Sequence, residues 1–162
     1  ALRSVLFQAA PAGILPLRAG DPAPRTLTGG RVEAPIAGGN LALLAALCGT
    51  PAAPQAKDHI LFLEDVGEPA YRLDRMLVQL RDAGVLHGVA GLALGRFAED
   101  SEPSDPEVSA LLSEFAQALG VPAAIDFPVG HVAHNWTLPI GVRARLDADA
   151  ATLELTEAAV TE

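Results

Sequence analysis

Ile60-Leu61-Phe62-Leu63 is a run of four large apolar residues that stops abruptly at Glu64-Asp65. A strand exposed on one face alternates apolar and polar side chains; a continuous apolar run belongs to a strand covered on both faces. Val89 to Leu94 repeats the pattern. Between the two runs, Leu73, Met76, Leu77 and Leu80 fall at i, i+3, i+4 and i+7, the stripe of an amphipathic helix over about 70–83. Gly84 ends it. Buried strands alternating with helices predict an α/β domain with a mixed sheet and flanking helices.

The rest of the chain fits the same scheme. Residues 1–30 are rich in Pro, Gly and Ala and predict a short helix at 2–10 followed by irregular chain. Arg31 to Ile36 predicts a strand before a Gly38-Gly39 turn. Asn40 can cap a helix whose Leu41, Leu43, Leu44 and Leu47 are apolar nearly all round, so burial is expected. Gly49 and Pro51 end it, and Val66 to Pro69 reads as a turn. Glu99-Asp100-Ser101-Glu102-Pro103 reads as a solvated acidic loop. Asp105 and Pro106 mark the start of a helix with Val108, Leu111, Leu112, Phe115 and Leu119 on one face, stopped by Gly120 and Pro122. Ala123 to Phe127 predicts a strand. Val142, Ala144 and Leu146, then Leu153 and Leu155, predict a closing hairpin. Residues 1–162 read as one domain with a lead-in at 1–30.

Half of the 162 residues are apolar, enough for a sizeable core. Twenty Asp and Glu against eleven Lys and Arg leave a net charge of −9, and no basic stripe suggests nucleic acid. Apolar runs break well short of the roughly 18 residues of a membrane span. Residues 1–11 lack the regions of a signal peptide. The first Met is Met76, so a longer parent protein is expected. The lone Cys48 excludes an internal disulfide and a four-Cys zinc site, and fits a reducing compartment.

No serine stands as a nucleophile. Ser4, Ser101, Ser104, Ser109 and Ser113 lie outside any G-x-S-x-G elbow, and Cys48 reads as a buried, inert helix residue. Glu64 directly follows a strand, where α/β sheets gather ligands. Asp65 and Glu68 compete with it, although Glu68 before Pro69 looks like a helix cap. His131 follows Gly130 in a loop after a strand, a reasonable place for a general base. His134 makes a His-x-x-His pair with it, but no third ligand is near enough for a zinc assignment. His59 and His87 read as surface residues. Gly38-Gly39-Asn40 before a helix could bind an anion, though a tight turn explains it.

Gly38-Gly39-Asn40-Leu41 through Cys48-Gly49-Thr50-Pro51, Ile60 to Asp65, Glu68, Tyr71 to Leu77, Ala83-Gly84, Gly95-Arg96-Phe97, Gly130-His131 and Thr137 to Gly141 occur in one order. Together, over about two thirds of the chain, they resemble the LD-carboxypeptidase family, which includes the microcin C7 self-immunity peptidases. The resemblance covers only the C-terminal, swivelling β/β/α-type domain. It implies Glu64 and His131 as the acid and base of a Ser-His-Glu triad. The serine and oxyanion hole of the N-terminal flavodoxin-like domain have no counterpart here.

That resemblance implies a cytoplasmic serine peptidase of peptidoglycan recycling. It would release D-alanine from murein tetrapeptide or, in microcin-type members, cut a peptidyl nucleotide. No cofactor and no metal are implied. The expected partners are the murein peptide, the missing nucleophile domain and a second copy in a homodimer, with no nucleic acid or membrane. The isolated chain is expected to be inactive. Two rival readings stand beside it. A non-catalytic binding or oligomerisation module would leave Glu64 and His131 apart or facing the core. A phosphohistidine domain would need hydroxyl or basic neighbours that Val132-Ala133 does not supply.

Overall fold

The computed structural model describes residues 2–98 and 103–161, so Glu99 to Glu102 of the acidic loop, Ser101 among them, lie outside the described residues. The element order is α1 (Leu2–Phe7), β1 (Gly13–Ile14), β2 (Arg25–Thr28), β3 (Arg31–Asn40), α2 (Leu41–Leu47), β4 (Ile60–Glu64), α3 (Ala70–Asp82), β5 (Gly91–Leu94), α4 (Pro106–Leu119), β6 (Ala123–Ile125), β7 (Arg143–Asp147) and β8 (Thr152–Leu155). The strands form one mixed sheet in the order β1-β8-β7-β3-β4-β5-β6-β2. The expected α/β class with a mixed sheet and flanking helices holds.

β3 joins the two halves of the sheet. Its first residues, Arg31 to Pro35, pair antiparallel with β7; Ile36 to Asn40 pair parallel with β4. β4, β5 and β6 continue in parallel. All five residues of β4 are buried: Leu61 and Leu63 join the core beneath α3 and α4, while Ile60 and Phe62 join the core on the opposite face. That two-sided burial is why the run has no polar interruption. Leu73, Leu77 and Leu80 of α3 and Val108, Leu112 and Ala116 of α4 cover the first face. Val5 of α1 and Leu15 join the second core with Phe127, Trp136 and residues of β7 and β8. Leu92 of β5 has no exposed surface. Leu92→Ala is therefore expected to lower unfolding free energy by about 2–5 kcal/mol. Urea denaturation measures it, and a loss under about 1 kcal/mol would contradict this two-sided core.

Several local expectations change. Gly38 and Gly39 form no turn, because β3 runs through them to Asn40. At Gly38, φ is +130°, and a Cβ there would collide with the Phe62 carbonyl oxygen. The glycine lets two parallel backbones meet. The lead-in is not irregular beyond its helix: Arg25–Thr28 pairs with β6, and Gly13–Ile14 with β8. Those short strands get their partners from distant chain, which local pattern does not reveal. α2 is not buried all round, since Leu43 is 66% and Leu47 37% exposed. Cys48 is half-buried. Glu68 does not cap α3; it pairs with Arg72 at 3.2 Å, and the cap position is Pro69. Among the described residues, no helix is long and apolar enough to cross a membrane.

Candidate active site

Parallel pairing sends β3, β4, β5 and β6 in one direction, so their carboxyl ends share one edge. Glu64 closes β4 at that edge. From β6 the chain passes through Asp126 to Val129 and reaches Gly130-His131. The Phe127 N–H donates to the Leu94 carbonyl at 3.2 Å, holding this segment beside the end of β5. At Gly95 a Cβ would lie 2.5 Å from the Val129 carbonyl oxygen and 2.9 Å from Glu64 Cβ. At Gly130, φ is +113°, and a Cβ would press on the Glu64 carboxylate. Two glycines thus let the loop lie directly against Glu64.

The result is a hydrogen bond of 2.8 Å between His131 Nδ1 and Glu64 Oε2. The Glu64 side chain is 7% exposed and that of His131 57%. A carboxylate only accepts, so the bond selects the Nδ1–H tautomer of a neutral imidazole. His131 Nε2 makes no hydrogen bond among the described residues. An imidazole so held can act as an open base, with a carboxylate shielded from water behind it.

Residues 33–146 match the family model for the LD-carboxypeptidase C-terminal domain. The chain belongs to that family. A Streptomyces coelicolor protein whose name assigns it provisionally to the carboxypeptidases is 45% identical over 155 residues, 95% of this chain and 48% of its own length. The murein tetrapeptide carboxypeptidase of Pseudomonas aeruginosa is 37% identical over 121 residues, 74% of this chain and 39% of its own. The crystal structure of muramoyltetrapeptide carboxypeptidase from Oxalobacter formigenes superposes with a TM-score of 0.75 at 32% identity, covering 95% of this chain and 52% of that one. The chain spans half or less of the length of these curated relatives.

In this LD-carboxypeptidase C-terminal domain the competing acids are engaged elsewhere. Asp65 is buried and accepts the Ala42 N–H at 2.9 Å, the Val66 N–H at 2.8 Å and the Asn40 amide at 3.3 Å. Asn40 Oδ1 accepts the Leu43 N–H at 3.1 Å. Two first-turn N–H groups of α2 are thereby occupied, which leaves the anion reading of Gly38-Gly39-Asn40 without a free cradle. Ser104 is also structural. Its hydroxyl donates to Asp126 at 2.7 Å and accepts the Phe97 N–H at 3.0 Å, while Arg25 pairs with the same acid at 2.8 Å.

His131 and His134 do not share a ligand. His134 Nδ1 lies 3.3 Å from Asp21 Oδ1, so each imidazole has its own carboxylate. Among the described residues no group of three or more His, Cys, Asp or Glu could hold a metal ion. Sequence reasoning missed the Asp21–His134 pair, which joins residues 113 positions apart with no local signal.

Burial works against charge on Asp21, but the Arg18 N–H, the His134 hydrogen bond and the nearby charges of Arg96 and His134 hold its carboxyl below the usual aspartate range. A depressed folded value stabilises the fold above the unfolded pKa of about 3.9 and loses that contribution as pH falls through the lower folded value. The urea midpoint should therefore fall more steeply below about pH 4 for the wild type than for Asp21→Asn; parallel curves would contradict it.

An open cavity of about 300 Å³ adjoins Glu64 and Gly130, lined by Asn40, Phe62, Asn135, Trp136, Leu138 and Ile140 among others. Apolar walls with a few amides suit a peptide side chain and backbone. A larger cavity of about 520 Å³ lies at the N-terminal ends of α3 and α4 beside Glu68, Asp105 and Glu107. It contains no His or Cys, and the Asp105 side chain already accepts the Glu107 N–H at 2.8 Å.

Proposed function

We propose that this chain is the acid–base half of a serine LD-carboxypeptidase, with Glu64 and His131 as two members of a Ser-His-Glu triad. The 2.8 Å bond between His131 Nδ1 and Glu64 Oε2, at the carboxyl edge of the parallel strands, carries the reading. The non-catalytic alternative requires the two residues apart or facing the core, whereas they are bonded and the His131 side chain is 57% exposed. In the proposed reaction, a serine on an LD-carboxypeptidase N-terminal domain faces His131 Nε2. The imidazole takes the hydroxyl proton as the oxygen attacks the amide carbonyl before the terminal D-residue. It then gives that proton to the departing D-alanine amine, and activates the water that hydrolyses the acyl-enzyme. Glu64 keeps the ring in its tautomer and stabilises the imidazolium.

Family membership and the named murein tetrapeptide carboxypeptidase support murein tetrapeptide as the substrate. The reading places the protein in the cytoplasm, where recycled murein peptides are processed, and includes the homodimer. In this reading the nucleophilic serine and the oxyanion donors come from the N-terminal domain, each donor being worth about 2.7–4 kcal/mol of transition-state stabilisation. Murein tetrapeptide incubated with the chain should release no D-alanine. Adding an LD-carboxypeptidase N-terminal domain, in trans or fused ahead of residue 1, should restore release for the wild type and not for His131→Ala. Robust release by the chain alone would overturn the assignment.

A further inference from the structure

The loop that carries His131 has few anchors of its own. Trp136 N donates to the Pro128 carbonyl at 2.8 Å, and Gly130 N to Asn135 Oδ1 at 3.3 Å. These bonds close the loop at its ends, and two side-chain bonds hold its middle, His131 to His134. One is the bond to Glu64. The other, from His134, reaches Asp21 within residues 16–22, a strap from the lead-in that also contacts Trp136 at the end of the loop and Arg96 after β5. Pro16 O accepts Trp136 Nε1–H at 2.8 Å, Asp21 Oδ1 meets His134 Nδ1 at 3.3 Å, and Pro22 O accepts Arg96 Nη2–H at 3.4 Å.

Asp21 is built for this contact. Its side chain is 3% exposed, and its second oxygen accepts the Arg18 N–H at 3.1 Å. Arg96 is 1% exposed, and its Nε and Nη1 have no hydrogen-bond partner. A guanidinium kept so dry is costly unless a negative charge lies close. The Asp21 carboxylate lies close enough for the two charges to interact. His134, by contrast, is 42% exposed and lines no part of the cavity beside Glu64. Its position matters through the loop.

We propose that His134, gripped by Asp21 on the strap, is a positioning residue that holds the His131 loop so that the His131 imidazole keeps its bond to Glu64. The proposal rests on the acid–base reading of Glu64 and His131 and adds a second, independent pair to the site. It makes the segment leading into the domain part of the catalytic apparatus.

The test needs no substrate. Long-range proton–nitrogen NMR correlation of the ¹⁵N-labelled chain at about pH 8, above the ordinary histidine range, reports the tautomer of each of the four imidazoles. Wild-type His131 should be the Nδ1–H tautomer. His134→Ala and Asp21→Ala should each lower its tautomer ratio about fivefold, the scale of one lost hydrogen bond. His134→Asn, whose amide nitrogen sits near the place of imidazole Nδ1, should restore it. Circular dichroism checks folding. If Asp21→Ala does not fold, the two His134 variants decide, because that side chain is half-exposed. An unchanged ratio in His134→Ala, or no restoration by His134→Asn, overturns the positioning role. Glu64→Ala, which leaves no acceptor for Nδ1–H, separates the two readings: if it leaves the His131 tautomer untouched, the Glu64–His131 reading fails first.

Discussion

Glu64→Gln in the assembled two-domain enzyme should lower kcat for D-alanine release by about 10⁴, with little change in KM. The carboxylate accepts one hydrogen bond from His131 Nδ1–H across 2.8 Å in a pocket that leaves 7% of its side chain exposed. Gln presents an amide there. When its NH2 group faces the ring, it favours the tautomer with Nδ1 unprotonated, and Nε2 then carries the proton it should be free to accept. When its oxygen faces the ring, the tautomer survives, but no negative charge remains to stabilise the imidazolium. Both outcomes act on the transition state, so the loss falls on kcat. His131→Ala removes the base itself and should lose at least as much. Steady-state kinetics on murein tetrapeptide reads both variants. A Glu64→Gln loss below about tenfold would mean that the acid is a bystander.

Gly130→Ala should cost both stability and the site. The φ of +113° at Gly130 strains any residue with a Cβ, by about 1–3 kcal/mol. The new carbon also meets Glu64 Oε2 and lies 2.9 Å from Cγ and 3.0 Å from Cβ of the same side chain. Turning the Glu64 side chain does not move its Cβ, so the crowding there remains. Either the carboxylate turns away from His131 or the loop lifts from the sheet. Gly120→Ala is the matched control: φ is +67° at the end of α4, and no atom lies within 4 Å of the added carbon. It should cost about 1–2 kcal/mol from left-handed backbone alone. Urea unfolding compares the two, and the His131 tautomer should change only in Gly130→Ala. Equal stability losses and an unchanged tautomer would show that the loop does not need its close approach to Glu64.

Much of the architecture could be read from side-chain spacing. Four apolar residues ending at Glu64 announced β4 and its two-sided burial, and the stripes of α3 and α4 marked the faces that cover it. The Asn40 cap and the Asp105-Pro106 start were also legible, since caps act within three residues. Pattern alone left Glu64 among three neighbouring acids and His131 among four histidines. It was the resemblance to LD-carboxypeptidases that singled them out as a pair. The sequence was misleading at Gly38-Gly39, where glycines that resemble a turn instead let β3 and β4 lie close together. It was also misleading at α2, where an apolar circumference remains partly exposed.

By itself, then, the chain's sequence determined the elements whose energetics are local: periodic burial, caps, and the placement of an acid at a strand tip. Only the tertiary structure decided which distant groups meet. Glu64 and His131 are 67 residues apart, and Asp21 and His134 are 113 apart. Such contacts depend on parallel strand order and on a lead-in that folds back to touch the loop. A hydrogen bond across that distance leaves no period in the sequence, because its geometry is set by the packed sheet rather than by neighbouring residues.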